Sequence, residues 1–172
     1  MSMTVIEHIE VGSGGAALIT FSSIPAYYKD LYLVYSLRDT QGGYFGYTNI
    51  ELNGTSSNHT QRRLRGNGSS ASTGTNTAFE IAANASGTTS NTFNNGQIYI
   101  PNYTSASAKS ASIDFVMENN VAEGYQQIAA GLYNSASAVS SIEISSGGTF
   151  VQYSSATLYG ITAGSDGTTA VS

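Results

Sequence analysis

Period-two alternation is the feature that most restricts what this chain can fold into. Apolar residues recur at every second position in short runs, and Gly, Asn, Ser or Pro ends each run. A strand sends successive side chains to opposite faces, whereas a helix buries a stripe that repeats every 3.6 residues. No segment has the apolar period and length of a stable helix, so the chain is predicted to be all-β. Its β-branched residues agree: Ile 13, Val 8 and Thr 18 stand against Leu 8. Such side chains lose rotamer freedom in a helix and pack well on a pleated surface.

The alternation defines about ten short strands. Thr4–Val11 is the most mixed. Ala17–Ser22 follows, then Asp30–Arg38, which puts Leu31, Leu33, Tyr35 and Leu37 on one face and Tyr32, Val34, Ser36 and Arg38 on the other. A second face only half polar predicts a central strand. Tyr44–Leu52 ends at Asn53-Gly54, a dipeptide that accepts the positive φ angles of a type I′ turn. Gln61–Gly66 reads as a cationic edge strand, since charge on an edge discourages further pairing. Phe79, Ile81 and Ala83 form a brief apolar face, and Gln97–Ile100 is stopped by Pro101. Lys109–Met117 turns Ala111, Ile113, Phe115 and Met117 to one side. Tyr125–Tyr133 sets Ile128, Ala130 and Leu132 against Gln127 and Ala129. Ala138–Ile144, Thr149–Gln152 and Ala156–Ile161 complete the set. Two polar stretches, Asn67–Thr77 and Asn84–Asn95, bury almost nothing and read as ordered or mobile loops.

A length of 172 residues suits one domain. Many short strands imply a two-sheet antiparallel sandwich, and their number favours a jelly-roll-like form over an immunoglobulin-like one. We expect a single β-sandwich domain over 1–162, with 1–16 as a possible docking segment, and a short polar tail over 163–172.

Charge and composition exclude several functions. Ser, Thr, Asn and Gly fill 76 of the positions, while charged residues make up 10% and the net charge is −5. Six Lys and Arg are too few for a nucleic-acid partner, which requires cations to displace phosphate counterions. No apolar run approaches the roughly 18 residues of a membrane span. Met1–Val11 carries Glu7, His8 and Glu10 where an export signal is apolar, so no export is expected. With no cysteine, thiolate metal sites and Cys nucleophiles are absent.

Catalytic motifs are equally sparse. His8 reads as a strand-surface residue, and His59 falls in the Asn53–Thr60 turn. Neither G-x-S-x-G nor H-E-x-x-H occurs. Glu118 and Glu123 bracket Asn119-Asn120, which allows a carboxylate pair for glycoside hydrolysis but fits a capped turn better. Gly12-Ser13-Gly14-Gly15 and Gly66-Asn67-Gly68-Ser69-Ser70-Ala71 read as turns, because no helix follows to present its N-terminus to a phosphate. Sequons at Asn53, Asn58, Asn67, Asn84 and Asn102 follow from the abundance of Asn, Ser and Thr. We therefore expect no enzyme, no catalytic residue, no metal and no cofactor.

Adhesion is the remaining class. Arg62, Arg63 and Arg65 hold half of the basic residues within four positions, as inter-subunit glue or as solvated arginines. Alternation sends Arg63 and Arg65 to one face and Arg62 and Leu64 to the other. Tyr27-Tyr28, just after Pro25, is expected to be exposed, and Tyr is favoured at interfaces. These five residues are the candidate protein–protein interface.

Several longer strings carry a resemblance. They are Phe21-Ser-Ser-Ile-Pro25 with Asp30–Arg38, Arg63-Leu-Arg-Gly-Asn-Gly-Ser-Ser70, Ile98–Ser105, Lys109–Val116, Glu118-Asn-Asn120, Ala130-Gly-Leu-Tyr-Asn134 and Gly148–Ile161. In that order, over roughly residues 17–161, they resemble small virion structural proteins of tailed bacteriophages of marine and cyanobacterial hosts. The resemblance implies a non-enzymatic capsid decoration (cement) protein on the virion exterior, made in the bacterial host cytoplasm. It implies a major capsid protein and further copies of the chain, as a homotrimer, for partners. The alternative it implies is a tail-fibre or receptor-binding module that recognises host-surface glycan. It carries over no catalytic residue.

Overall fold

The computed structural model describes residues 2–121 and 123–163, and among them the regular elements are all strands. In order these are β1 (Ser2–Glu10), β2 (Ala16–Phe21), β3 (Asp30–Leu37), β4 (Phe45–Leu52), β5 (His59–Gly66) and β6 (Ala71–Asn76). Then come β7 (Phe79–Asn84), β8 (Asn94–Ile100), β9 (Lys109–Met117), β10 (Tyr125–Tyr133), β11 (Ile142–Phe150) and β12 (Ser155–Thr162). A large sheet runs β1-β12-β3-β8-β9-β10-β5-β6 and a small one β2-β11-β4-β7.

Four antiparallel pairings nest inside one another: β1 with β12, β2 with β11, β3 with β8 and β4 with β7. Together they form one long ribbon. Rolling it lays β12 beside β3 and β11 beside β4, with ribbon segments falling alternately in the two sheets. This is a jelly roll. Two hairpins inserted into the ribbon, β5-β6 and β9-β10, continue the large sheet beyond β8 and widen it from four strands to eight.

The core lies between the sheets. Leu31, Leu33, Tyr35 and Leu37 of β3 are buried, and Ile50, Leu52, Ile142 and Ile144 are buried on the small sheet. β3 has a neighbour on each side, as its half-apolar second face predicts. At Gly131 a Cβ would lie 2.7 Å from the Phe79 ring, so only glycine lets β10 approach β7.

β7 borders the small sheet, yet its outer side is closed. The Glu80 carbonyl accepts from Gln61 Nε2 at 2.9 Å and Gln127 Nε2 at 3.2 Å. The Ala82 carbonyl accepts from Asn94 Nδ2, and the Asn84 carbonyl from Asp39 N at 2.9 Å. Each alternate carbonyl of an unpaired edge is thus capped by a group outside the small sheet. This explains why amides occupy inward positions of β5, β8 and β10, because a buried carbonyl without a partner is costly.

Several expectations are corrected. Gln61–Gly66 is not the edge, since β6 lies beyond β5. Asn67–Thr77 is a hairpin arm and not a loop, its turn fastened by Asn67 Oδ1, which accepts from Ser69 N and Ser70 N. Ala138–Ser141 lies outside β11 because the Asn53 side chain binds it, donating to the Ala138 carbonyl at 2.8 Å and accepting from Ser140 N at 2.7 Å. β11 instead runs on to Phe150, with its register shifted between Ser145 and Phe150. Of 1–16, Ser2–Glu10 is built into the sheet as β1. The expected tail lies outside the described residues from position 164 on.

The 85–93 segment is ordered around Arg38, whose guanidinium donates to Thr88 Oγ1 (2.7 Å) and to the carbonyls of Thr89 (2.9 Å) and Thr92 (3.0 Å). Lys109 is buried at an inward position. Its Nζ donates to the carbonyls of Ser105, Ser135 and Ser137, tying two loops together.

Candidate docking face

The two inserted hairpins create a surface with no layer over it among the described residues. Inward residues of β10 are Gln127, Ala129, Gly131 and Tyr133, so the apolar set Ile128, Ala130 and Leu132 faces out. Ile128 is 63% exposed, and Leu64, Val116 and Leu132 beside it are also exposed. Register brings them together: Leu64 of β5 stands opposite Ile128, which stands opposite Asp114 of β9. Two residues along, on the same face, Arg62 stands opposite Ala130 and Ala130 opposite Ser112. The face forms an open trough of about 930 Å³, with Arg62, Asp114 and Thr75 around Leu64 and Ile128. A second hollow of about 430 Å³ adjoins it at Val116 and Ala71. A contiguous exposed apolar patch with a polar rim marks an interaction site.

Further across the same outer face, tyrosines fill one cross-strand row. Tyr159 stands opposite Tyr32 and Tyr32 opposite Tyr99, all three half-buried. Tyr32 donates to Gln97 Oε1, whose Nε2 donates to Asp114 Oδ2 at 2.7 Å. Tyr99 donates to Asp30 Oδ2 at 2.9 Å. Burial first, then the Asp114 charge, pushes the Tyr32 hydroxyl pKa up, and burial with the Asp30 hydrogen bond does the same for Tyr99. Tyr32 and Tyr99 are therefore held in place as neutral phenols.

Compared with known proteins, the chain matches no family model, no curated protein and no solved structure.

The five interface residues expected from the sequence divide. Tyr27 is 74% exposed and Arg62 is exposed. Tyr28 is buried, which corrects the expectation for the pair: its ring lies flat on β12 at Gly160, where a Cβ would sit 2.3 Å from it. Arg63 and Arg65 share one face as expected, but it is the inner one. Arg63 NH1 and Arg65 NH2 both donate to Glu80 Oε1, at 2.6 and 2.8 Å. Arg65 also lies 4.4 Å from the centre of the Phe45 ring. Burial, then the Arg63 charge, pulls the Arg65 pKa below its ordinary value, with Glu80 opposing. These two arginines bind the sheets together and are not offered to a partner. The trough residues Leu64, Val116, Ile128 and Leu132 were not singled out from the sequence. The signal for them was an apolar set on one face of β10 opposed by Gln127, in a strand whose other face had to cover the core.

The remaining candidates are used locally. Glu118 Oε1 accepts from Asn120 N and Glu123 Oε2 from the Tyr125 hydroxyl, both at 2.9 Å, so each carboxylate caps its own turn. His8 lies exposed on β1 against Thr157 Oγ1. His59 is buried at the start of β5 and is not a turn residue. Gly12–Gly15 is a turn closed by Gly15 N on the Gly12 carbonyl. Among the described residues no group of three His, Asp or Glu converges as a metal site.

Proposed function

We propose that this chain is a non-enzymatic structural protein of a tailed-phage virion, a decoration (cement) protein on the particle exterior. Its partner is the major capsid protein, docked in the trough of the β9-β10-β5-β6 face. The observation that carries this is the uncovered set Leu64, Val116, Ile128 and Leu132 on a rigid sheet. These side chains are 40–63% exposed, so covering the rest of each contributes on the order of 1 kcal/mol before the cost of docking. Repetition over a symmetric shell turns moderate contacts into avidity. The resemblance of residues 17–161 to phage virion proteins supports the same role.

Particles lacking the protein are expected to withstand heat and osmotic shock less well, and added protein to restore resistance. Ile128→Asp, a change at an exposed position, is expected to fold and not to restore it. Unchanged resistance in particles without the protein overturns the proposal.

The tyrosine row favours a second function, a tail-fibre module whose rings stack on the faces of a host-surface polysaccharide. Copy number separates the two: hundreds per particle fit decoration, whereas a few dozen fit a fibre.

A further inference from the structure

The chain places Asn before Gly three times, at Asn53-Gly54, Asn67-Gly68 and Asn95-Gly96. Such a pair is chemically unstable wherever the glycine nitrogen can reach the Asn side-chain carbon, because a five-membered imide closes and ammonia leaves. Glycine favours the attack, since no Cβ shields its nitrogen. The fold treats the three pairs differently.

Asn95-Gly96 lies within β8, where Asn95 stands opposite Ser36 and Val116, and Gly96 opposite Tyr35 and Phe115. Both neighbouring strands hold this backbone extended, and the Tyr35 hydroxyl covers Gly96 too closely to admit a Cβ. At Asn53-Gly54 the side chain is held at both ends. Its Nδ2 donates to the Ala138 carbonyl at 2.8 Å, and its Oδ1 accepts from Ser140 N at 2.7 Å and Ser141 N at 3.3 Å. Bringing its Cγ onto Gly54 N breaks these bonds.

Asn67-Gly68 differs on each count. It lies in the exposed turn between β5 and β6, and a Cβ on Gly68 would meet nothing within 4 Å. Asn67 Oδ1 accepts from Ser69 N at 3.1 Å and Ser70 N at 2.8 Å, with the Ser69 and Ser70 hydroxyls at 3.1 and 3.2 Å. The bond to Ser69 N folds the side chain back over its own backbone, so that Gly68 N lies inside the ring it closes. Donors gathered on one carbonyl oxygen draw charge from Cγ and stabilise the oxyanion that forms when a nitrogen adds to it.

We propose that Asn67-Gly68 is a site of self-modification, converting to aspartate and isoaspartate in the folded chain while the other two pairs stay intact. Gly68 N gives its proton to hydroxide and bonds to Cγ. The Cγ–Nδ2 bond then breaks, and Nδ2 departs as ammonia with a proton from water. Water opens the imide, at Cγ to give aspartate or at the main-chain carbonyl to give an isoaspartyl link. The sum is gain of water and loss of ammonia, with no change of oxidation state. Either product places a new carboxylate at the turn, on the hollow that Glu118 and Gln126 also line. This chemistry needs no partner and stands apart from the function proposed above.

The test incubates the full folded chain at mildly alkaline pH and follows all three pairs by peptide mass mapping, with digestion at acid pH. Asn67 is expected to gain the mass of an Asn-to-Asp exchange and to split into aspartyl and isoaspartyl forms. It should convert at least about tenfold faster than Asn53 or Asn95, whereas in urea the three rates converge as the fold's protection is lost. Ser69→Ala with Ser70→Ala, both at exposed positions, should slow Asn67 about fivefold in the folded chain and leave its rate in urea unchanged. An unchanged melting temperature checks that this variant folds. A chain unmodified at Asn67, equal conversion at Asn53 or Asn95 before unfolding, or a serine variant as fast as the wild type overturns the proposal.

Discussion

His59 is held as one neutral tautomer. Its Nε2 accepts from Leu52 N at 3.3 Å, so the ring proton sits on Nδ1 and is donated to the Ser57 carbonyl at 2.8 Å. The ring stacks on Tyr133 and meets Phe79 edge-on, with centroids 4.7 and 4.8 Å apart. Burial lowers its pKa below the ordinary 6.5, and the Ser57 hydrogen bond opposes that only in part. Between the lowered folded value and 6.5 the unfolded chain binds more proton than the folded one, so stability rises with pH across that window. The contribution is complete above 6.5 and is lost as pH falls toward the folded value. Urea unfolding from about pH 7 down to pH 5 is expected to show this loss. In His59→Gln the curve should be flatter over the same range. An equally steep curve in that variant would show that His59 is not the group responsible.

At the scale of elements, the closed side of β7 makes a quantitative prediction. Asn94 serves two partners, accepting from Leu37 N at 3.0 Å and donating to the Ala82 carbonyl. Asn94→Ala leaves both buried groups without a partner, at a cost of roughly 2–5 kcal/mol. Gln61→Ala removes one of two donors to the Glu80 carbonyl, and Gln127 keeps the other, so its cost is expected to be about 1 kcal/mol or less. Equal costs from urea unfolding would contradict the capping role of Asn94. The same geometry explains what was legible in the chain. Leu31, Leu33, Tyr35 and Leu37 announced the inward face of β3, and Tyr32 and Val34 on its half-apolar second face a central strand, because each pattern reports only its own strand. Gln61 and Gln127 could not announce their role, since it depends on an edge of another sheet lying beneath them. β6 shows no alternation because, at the border of the sheet, it covers no core.

At the scale of the whole molecule, the two-sheet sandwich was legible but β6, the outward turn of Ile128 and Leu132 and the trough were not, because β10 and β5 meet from positions about sixty residues apart. That meeting also decides whether the inserted hairpins form a separate body. Phe79 and Ile81 of β7 are fully buried, with Gly131 of β10 and His59 of β5 packed on the Phe79 ring. The Glu80 carbonyl and carboxylate are held by Gln61, Gln127, Arg63 and Arg65. Melting the extension therefore strips β7, and losing β7 opens the core between the sheets. The chain is expected to unfold in a single calorimetric transition, with van't Hoff and calorimetric enthalpies equal at on the order of 110 kcal/mol near 60 °C. Arg63→Met with Arg65→Met should lower that one transition without splitting it. Two separate transitions would mean that β9-β10 and β5-β6 fold apart from the rolled ribbon, and the sandwich would then be two cooperative units.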